Sequence, residues 1–183
     1  MRIIAGLQKR KKLFSPKTAN IRPTSDRLRE TVFNILEREL FSANVLDLFA
    51  GTGALGLEAL SRGSSFCVFV DNSLEAISLI QRNITLCEMD SQTVVYSKDA
   101  FSDLSFLTEY APFSIVFIDP PYDKTDFSFL FGQLHDQQVL QKNAMLVVET
   151  SLKEAISFPG ALFSLIKYRT CGKSRVSFFE YMV

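Results

Sequence analysis

Short apolar segments of strand length alternate with segments of helical periodicity along most of this 183-residue chain. The strand-like segments that alternate with predicted helices lie at 45–49, 66–70, 93–97, 114–118 and 144–149. Apolar spacing predicts helices over 54–62, 74–86 and 127–140, a weaker helix over 101–109, and one that is capped by Thr24 or Ser25 and runs to Leu40. Strands separated by helices form a parallel sheet that is wound by crossovers.

The last part of the chain departs from this alternation. Segments 162–169 and 176–182 read as two strands joined across TCGKS, which predicts an antiparallel hairpin. We therefore predict an α/β fold: a doubly wound, mostly parallel, Rossmann-like sheet with a C-terminal antiparallel hairpin. No linker or repeat divides the sequence, so we expect one domain over 1–183. Residues 1–40 would form a basic N-terminal extension and helix attached to a core over 41–183.

The formal net charge of zero hides a strong asymmetry. Residues 1–30 hold nine Lys or Arg and two Asp or Glu, net +7, so the remaining 11 basic and 18 acidic residues carry net −7. A basic N-terminal segment on an otherwise acidic chain indicates a polyanionic partner, and nucleic acid is the first candidate. The alternative is that the segment is only a solvated charged tail. The run Lys9, Arg10, Lys11 and Lys12 supplies candidate contacts to RNA phosphates.

The cysteine spacing and the absence of long apolar runs argue against disulfide-rich, metal-binding and membrane proteins. The three cysteines form no CxxC pair or Cys/His cluster, so we expect neither a disulfide nor a metal site, and Cys67 reads as a buried strand residue. No apolar run approaches the roughly 18 residues of a membrane span, and the N-terminus does not resemble a signal peptide. We therefore expect no membrane partner and a location in the cytoplasm.

A glycine-rich turn follows the first predicted strand. Gly51 to Gly56 spell GxGxxG, and Asp71 follows Gly51 by 20 residues at the end of the next strand. This spacing is that of a dinucleotide fingerprint with a ribose-binding acid. A plain strand-to-helix turn is the structural alternative.

Asp47 argues against a dinucleotide. It lies on the same strand just before the glycines, where a carboxylate would repel a pyrophosphate but attract a cation. S-adenosylmethionine (SAM) carries a sulfonium and an ammonium group and suits this position. Asp71 would accept the ribose hydroxyls, and Asp99 would face the adenine amino group. Three acids at three successive strand ends favour a SAM site.

The strand at 114–118 ends in Asp119-Pro120-Pro121-Tyr122. A carboxylate and a proline carbonyl can accept the two hydrogens of an exocyclic amine, and the prolines hold the corner stiff before the substrate binds. Tyr122 offers a ring on which a flipped base can stack. The corner therefore predicts transfer to a planar amine.

These two motifs resemble those of class I SAM-dependent methyltransferases. The segment 47–53, DLFAGTG, matches their first motif, with Asp47, Phe49, Gly51 and Gly53, and DPPY matches the fourth motif of the amine-methylating branch. The chain is most similar to the RsmD family, bacterial 16S rRNA (guanine-N2) methyltransferases. The resemblance runs from RIIAG at 2–6 through RPTSDRLRETVFNIL at 22–36, both motifs and VVET at 147–150 to the region of Gly172, and so covers nearly the whole chain.

This resemblance implies SAM as cofactor and a small-subunit ribosomal RNA, or the 30S particle, as partner of a monomer. It also implies that Arg22, Pro23 and Thr24 neighbour the cofactor. The chain has Ala5 where the family usually has Gly, and Cys171 where it usually has Tyr. A DNA adenine-N6 methyltransferase and a non-catalytic SAM-binding assembly factor are the alternatives. The first typically needs a separate target-recognition region, and the second would not need an intact Asp119.

Overall fold

The computed structural model describes residues 1–16, 26–121 and 126–183, and these form a seven-stranded sheet with helices on both faces. The elements in chain order are α1 Asp26–Ile35, β1 Asn44–Leu48, α2 Ala54–Ser61, β2 Phe66–Asp71, α3 Leu74–Cys87, β3 Thr93–Ser97, β4 Phe113–Ile118, α4 Phe127–Asp136, β5 Leu140–Ser151, β6 Phe163–Cys171 and β7 Ser174–Tyr181. Short 3-10 helices lie at Asp90–Gln92 and Ser105–Tyr110.

The sheet has the strand order β3-β2-β1-β4-β5-β7-β6. The first five strands in this order are parallel, whereas β7 runs antiparallel to β5 and to β6. The direction of winding reverses between β1 and β4, and in such sheets ligands bind at the carboxyl ends of the strands beside this point. The predicted doubly wound sheet and its terminal hairpin are confirmed.

Apolar residues cover both faces of the sheet, as a parallel sheet requires. One buried cluster joins α1, α2 and α3 to the sheet and includes Phe33, Leu57 and Ile80. The other joins α4 and the second 3-10 helix to the opposite face and is rich in phenylalanine. Cys67 is fully buried in β2, as predicted for a small apolar residue.

Three predicted helices differ from the structure: one is replaced by a 3-10 helix, and two end earlier than predicted. Over 101–109 the chain forms only a 3-10 turn, because Asp99 and Asp103 accept the backbone N–H groups of Phe101 and Ser105 and so compete with helical hydrogen bonds. The helix α4 ends at Asp136, since Gln138 has a φ of 53° and reverses the chain into β5. The helix α1 ends at Ile35 and not at Leu40.

The head, residues 1–13, is folded against α2. Arg2 and Lys12 form an antiparallel bridge, and Ile3 and Leu13 are buried. Glu58, a fully buried acid of α2, accepts the backbone N–H groups of Ile4 and Ala5 at 2.7 and 3.0 Å. The head is therefore held by hydrogen bonds and core contacts, which charge composition alone did not predict.

Among the described residues, no helix is long and apolar enough to cross a membrane. In the same part of the chain, no group of three or more His, Cys, Asp or Glu side chains is placed to hold a metal ion.

Candidate active site

The turn after β1 is built from residues with left-handed backbone conformations. Phe49, Gly51 and Gly53 have φ values of 60°, 57° and 75°, and Gly53 caps the N-terminus of α2. Such φ angles favour glycine, because a side chain would be strained there. The turn brings the backbone of residues 49–53 to the carboxyl edge of the sheet.

Carboxylates already bind one amide group of this turn and one in the first turn of α2. Asp71 accepts the N–H of Gly51 at 2.8 Å, and Asp47 accepts the N–H of Gly56 at 2.9 Å. In a dinucleotide site, by contrast, the pyrophosphate sits at the N-terminus of the helix after the glycine turn. The structure therefore supports the interpretation that this glycine turn does not hold a phosphate.

Gly56 has a packing role. A Cβ atom there would lie 2.3 Å from Cε1 of Phe69 and 2.5 Å from Sγ of Cys67. Only glycine lets α2 approach β2 this closely. The third glycine of the motif thus sets the contact between helix and strand.

A cavity of about 700 Å³ opens beside the turn, at the point where the winding reverses. Its lining includes five carboxylates, and none of the described residues that line it is Lys or Arg. The acids are Asp47, Asp71, Asp99, Asp119 and Glu149. Its volume lies within the range of small-molecule sites, about 300–1,000 Å³. A cation with several hydrogen-bond donors fits this lining, and SAM has both properties.

The strand register aligns four of the lining residues. Phe69, Asp47, Phe117 and Val147 are register partners on β2, β1, β4 and β5. Two residues further along each strand come Asp71, Phe49, Asp119 and Glu149, and all four line the cavity. The sheet therefore presents acids from neighbouring strands in one row.

Asp47 lies on β1, two residues before the row. Its side chain is almost fully buried, and burial raises the pKa of Asp47 from 3.8 to about 8. The hydrogen bond from Gly56 opposes this rise in the pKa, and the nearby charge of Asp71 adds to it. A cationic group beside Asp47 would favour its ionised form.

Two aromatic rings also line the cavity. Phe49 and Phe101 both line it, with ring centroids 5.5 Å apart, and Asp99 binds the backbone N–H of Phe101. Phe101 was missed by the sequence analysis, which treated it as part of a helix. Its pairing with Phe49 and the acid before it make this the side where we expect the adenine ring.

The corner after β4 contributes Asp119, Pro120 and Pro121 to the lining. Tyr122 lies outside the described residues, as do Arg22, Pro23 and Thr24, so their predicted roles stay predictions. Cys171 and Ser174, from the β6–β7 hairpin, line the same cavity. Glu149, Cys171 and Ser174 were not predicted as site residues, although an acid at the end of a central strand was a usable signal for Glu149.

The basic run of the head lies outside the cavity lining. Lys9, Arg10 and Lys12 are exposed, whereas Lys11 is partly buried and its Nζ donates to the Leu86 carbonyl at 2.8 Å and contacts Glu88 at 3.2 Å. The first three side chains are therefore better placed than Lys11 to contact RNA.

A family model and individual relatives place this chain in the same family. The family model described as conserved hypothetical protein 95 matches residues 1–180. Ribosomal RNA small subunit methyltransferase D of Escherichia coli K12 is 33% identical over 94% of this chain and 86% of its own length. The protein of the same name from Haemophilus influenzae is 32% identical over 94% of this chain and 89% of its own length.

Solved structures agree with this assignment. The structure of yhhF from Escherichia coli has a TM-score of 0.86 and 31% identity, and the match covers 100% of this chain and 98% of that one. The fold, the motifs and these similarities lead to one conclusion. The chain belongs to the conserved hypothetical protein 95 family, which is the family of the ribosomal RNA small subunit methyltransferase D (RsmD) proteins.

Proposed function

We propose that this protein transfers a methyl group from SAM to the exocyclic N2 amine of a guanine in small-subunit ribosomal RNA. The observation that carries the proposal is the cavity lined by five carboxylates, with the Asp119-Pro120 corner on its wall and no Lys or Arg among its described lining residues. A cationic methyl donor and a neutral amine acceptor both suit this lining. Membership in a family with curated rRNA methyltransferases supports the RNA substrate.

Different residues would bind SAM and bind the target amine. SAM supplies an activated methyl group on a sulfonium centre. Asp47 and Asp71 would bind the ammonium and ribose groups, and the Phe49–Phe101 side would hold the adenine. Asp119 and the Pro120 carbonyl would accept the hydrogens of the target amine. These acceptors favour a pyramidal nitrogen whose lone pair attacks the methyl carbon as the carbon–sulfur bond breaks, and their fixed geometry supplies the electrostatic preorganisation. S-adenosylhomocysteine leaves as a neutral thioether, and the proton that the methylated nitrogen loses passes to Asp119 or to solvent.

The remaining assignments follow from the same proposal. The single domain acts as a monomer in the cytoplasm, on an assembled or assembling 30S particle. Lys9, Arg10 and Lys12 contact phosphates and fix the orientation of the RNA, without reading its sequence. Tyr122 stacks on the extruded base.

A pair of Asp119 variants tests the division between binding and transfer. Asp119→Ala should keep the affinity for SAM within about twofold and lower the single-turnover rate of methyl transfer by at least about 100-fold, because the contact matters most as the amine is reshaped. Asp119→Asn should lose less of the rate, because its amide oxygen can still accept a hydrogen from the amine. SAM affinity is measured by titration calorimetry, and transfer by labelled SAM with small-subunit particles. Asp126→Asn, at the α4 cap, is the matched control. Transfer at the wild-type rate by both Asp119 variants would refute the catalytic assignment.

A further inference from the structure

Glu149 stands beside Asp119 at the carboxyl edge of the sheet. β4 and β5 are parallel neighbours in which Ile118 and Val148 are register partners, so Asp119 and Glu149 are the next residue of each strand. Neighbouring strands lie about 4.8 Å apart. Both acids line the cavity, together with Pro120. Two carboxylates from adjacent strands therefore border the place where the target amine would bind.

The base that carries the amine determines what a second carboxylate would meet. In guanine the ring atom that flanks the N2 amine on the Watson–Crick edge is N1, which carries a hydrogen and is a donor, whereas N3 lies on the other side of the amine. In adenine and cytosine the corresponding ring atoms, N1 and N3, carry lone pairs and are acceptors. An ionised carboxylate accepts hydrogen bonds and cannot donate one. A second acid beside the first therefore matches guanine and repels the other two bases.

We propose that Glu149 selects guanine, by accepting the N1–H of the base whose N2 amine is bound by Asp119. The inference rests on the proposed function and adds a specificity-determining residue to it. The two carboxylates then recognise two adjacent donors on the Watson–Crick edge, a pattern that only guanine offers in this orientation. Discrimination of this kind is strong, because the wrong base leaves a carboxylate in the cavity facing a lone pair.

A base analogue tests the proposal directly. Small-subunit particles are reconstituted with RNA that carries 2-aminopurine riboside in place of the guanosine that the wild-type protein methylates. This base keeps the N2 amine and has an acceptor at N1. Wild type should methylate it with a kcat/KM at least about 10- to 100-fold lower than for guanine. Glu149→Gln has an amide that can donate to N1, so its ratio of guanine to 2-aminopurine kcat/KM should fall at least tenfold relative to wild type.

Controls separate this role from folding and from the proposed function. Glu149→Gln should bind SAM with wild-type affinity, and Glu154→Gln, an acid five residues further that does not line the cavity, should keep the wild-type ratio. Guanine methylation by wild type with an unchanged ratio in Glu149→Gln would overturn the role of Glu149 alone. Absence of guanine-N2 methylation by wild type would overturn the proposed function and this inference with it.

Discussion

Replacing Asp47 by asparagine should stabilise the fold of the free protein and abolish tight SAM binding. Burial holds the pKa of Asp47 at about 8, against 3.8 for an exposed aspartate. Below pH 3.8 both the folded and the unfolded states carry the proton. Between pH 3.8 and pH 8 the unfolded chain loses the proton and the folded protein keeps it, so stability falls as the pH rises. Above pH 8 the folded state bears a buried charge and the full penalty applies.

The size of the effect follows from the width of this interval. Each pH unit contributes about 1.4 kcal/mol, so about four units give an upper figure of about 5–6 kcal/mol at pH 8 and above. Water that enters the cavity lowers this figure. We therefore expect the free energy of unfolding of Asp47→Asn to exceed that of wild type by about 2–5 kcal/mol at pH 8.5, and by about 0.5–1.5 kcal/mol at pH 5. The Gly56 N–H can still donate to the asparagine oxygen.

Urea unfolding at pH 5, 7 and 8.5, without cofactor, measures the difference. The matched control is Asp90→Asn, an exposed acid whose effect should not grow with pH in the same way. SAM titration at pH 7 should show at least a tenfold weaker affinity for Asp47→Asn, and wild type should release protons on binding, because the cation favours ionised Asp47. A stability difference that is equal at pH 5 and pH 8.5 would refute the burial argument.

Three further predictions concern packing and the head. Gly56→Ala should lower the free energy of unfolding by at least about 1–3 kcal/mol, because its Cβ clashes with β2. Gly132→Ala should not lower it, because the added Cβ meets no atom within 4 Å. Equal effects of the two variants in urea unfolding would contradict the packing role of Gly56. Glu58→Ala should lower the free energy of unfolding by about 3–5 kcal/mol and speed proteolysis of the head, because it leaves two partly buried N–H groups and the Arg62 guanidinium without their acceptor. The exposed Glu37→Ala should do neither, and unaltered proteolysis of Glu58→Ala would mean that the head docks by other contacts. Replacing three exposed cations by alanine should reduce the slope of log binding constant against log salt concentration for small-subunit particles, by up to the contribution of about three phosphate contacts. Equal slopes for wild type and the triple variant would mean that the head does not contact the RNA. These cations are Lys9, Arg10 and Lys12.

The sheet and the grouping of the acids were predictable because local patterns determine them. Buried parallel strands read as apolar runs, and a parallel sheet gathers the ends of its strands at one edge. Asp71 ends β2, Asp99 and Asp119 follow β3 and β4, and Asp47 is the last residue but one of β1, so their meeting around one cavity follows from topology. The charge of Asp47 alone was also enough to favour a cation site over a pyrophosphate site at the glycine turn.

The missed features depend on contacts between distant parts of the chain. Glu58 lies in the middle of a helix, and only the fold shows that it binds the backbone of Ile4 and Ala5. The 3-10 turn at Ser105–Tyr110 replaced a predicted helix because the side chains of Asp99 and Asp103 bind the local backbone. Glu149 became a candidate only when the strand order placed β5 beside β4.

Direct identification of the methylated nucleoside tests the central claim. Small-subunit particles that lack this modification are incubated with purified protein and labelled SAM, and the RNA is digested to nucleosides and analysed by mass spectrometry. Label in N2-methylguanosine at a single position, present with wild type and lost with Asp119→Ala, is the predicted result. Label in N6-methyladenosine, or no transfer by wild-type protein that binds SAM, would contradict the account.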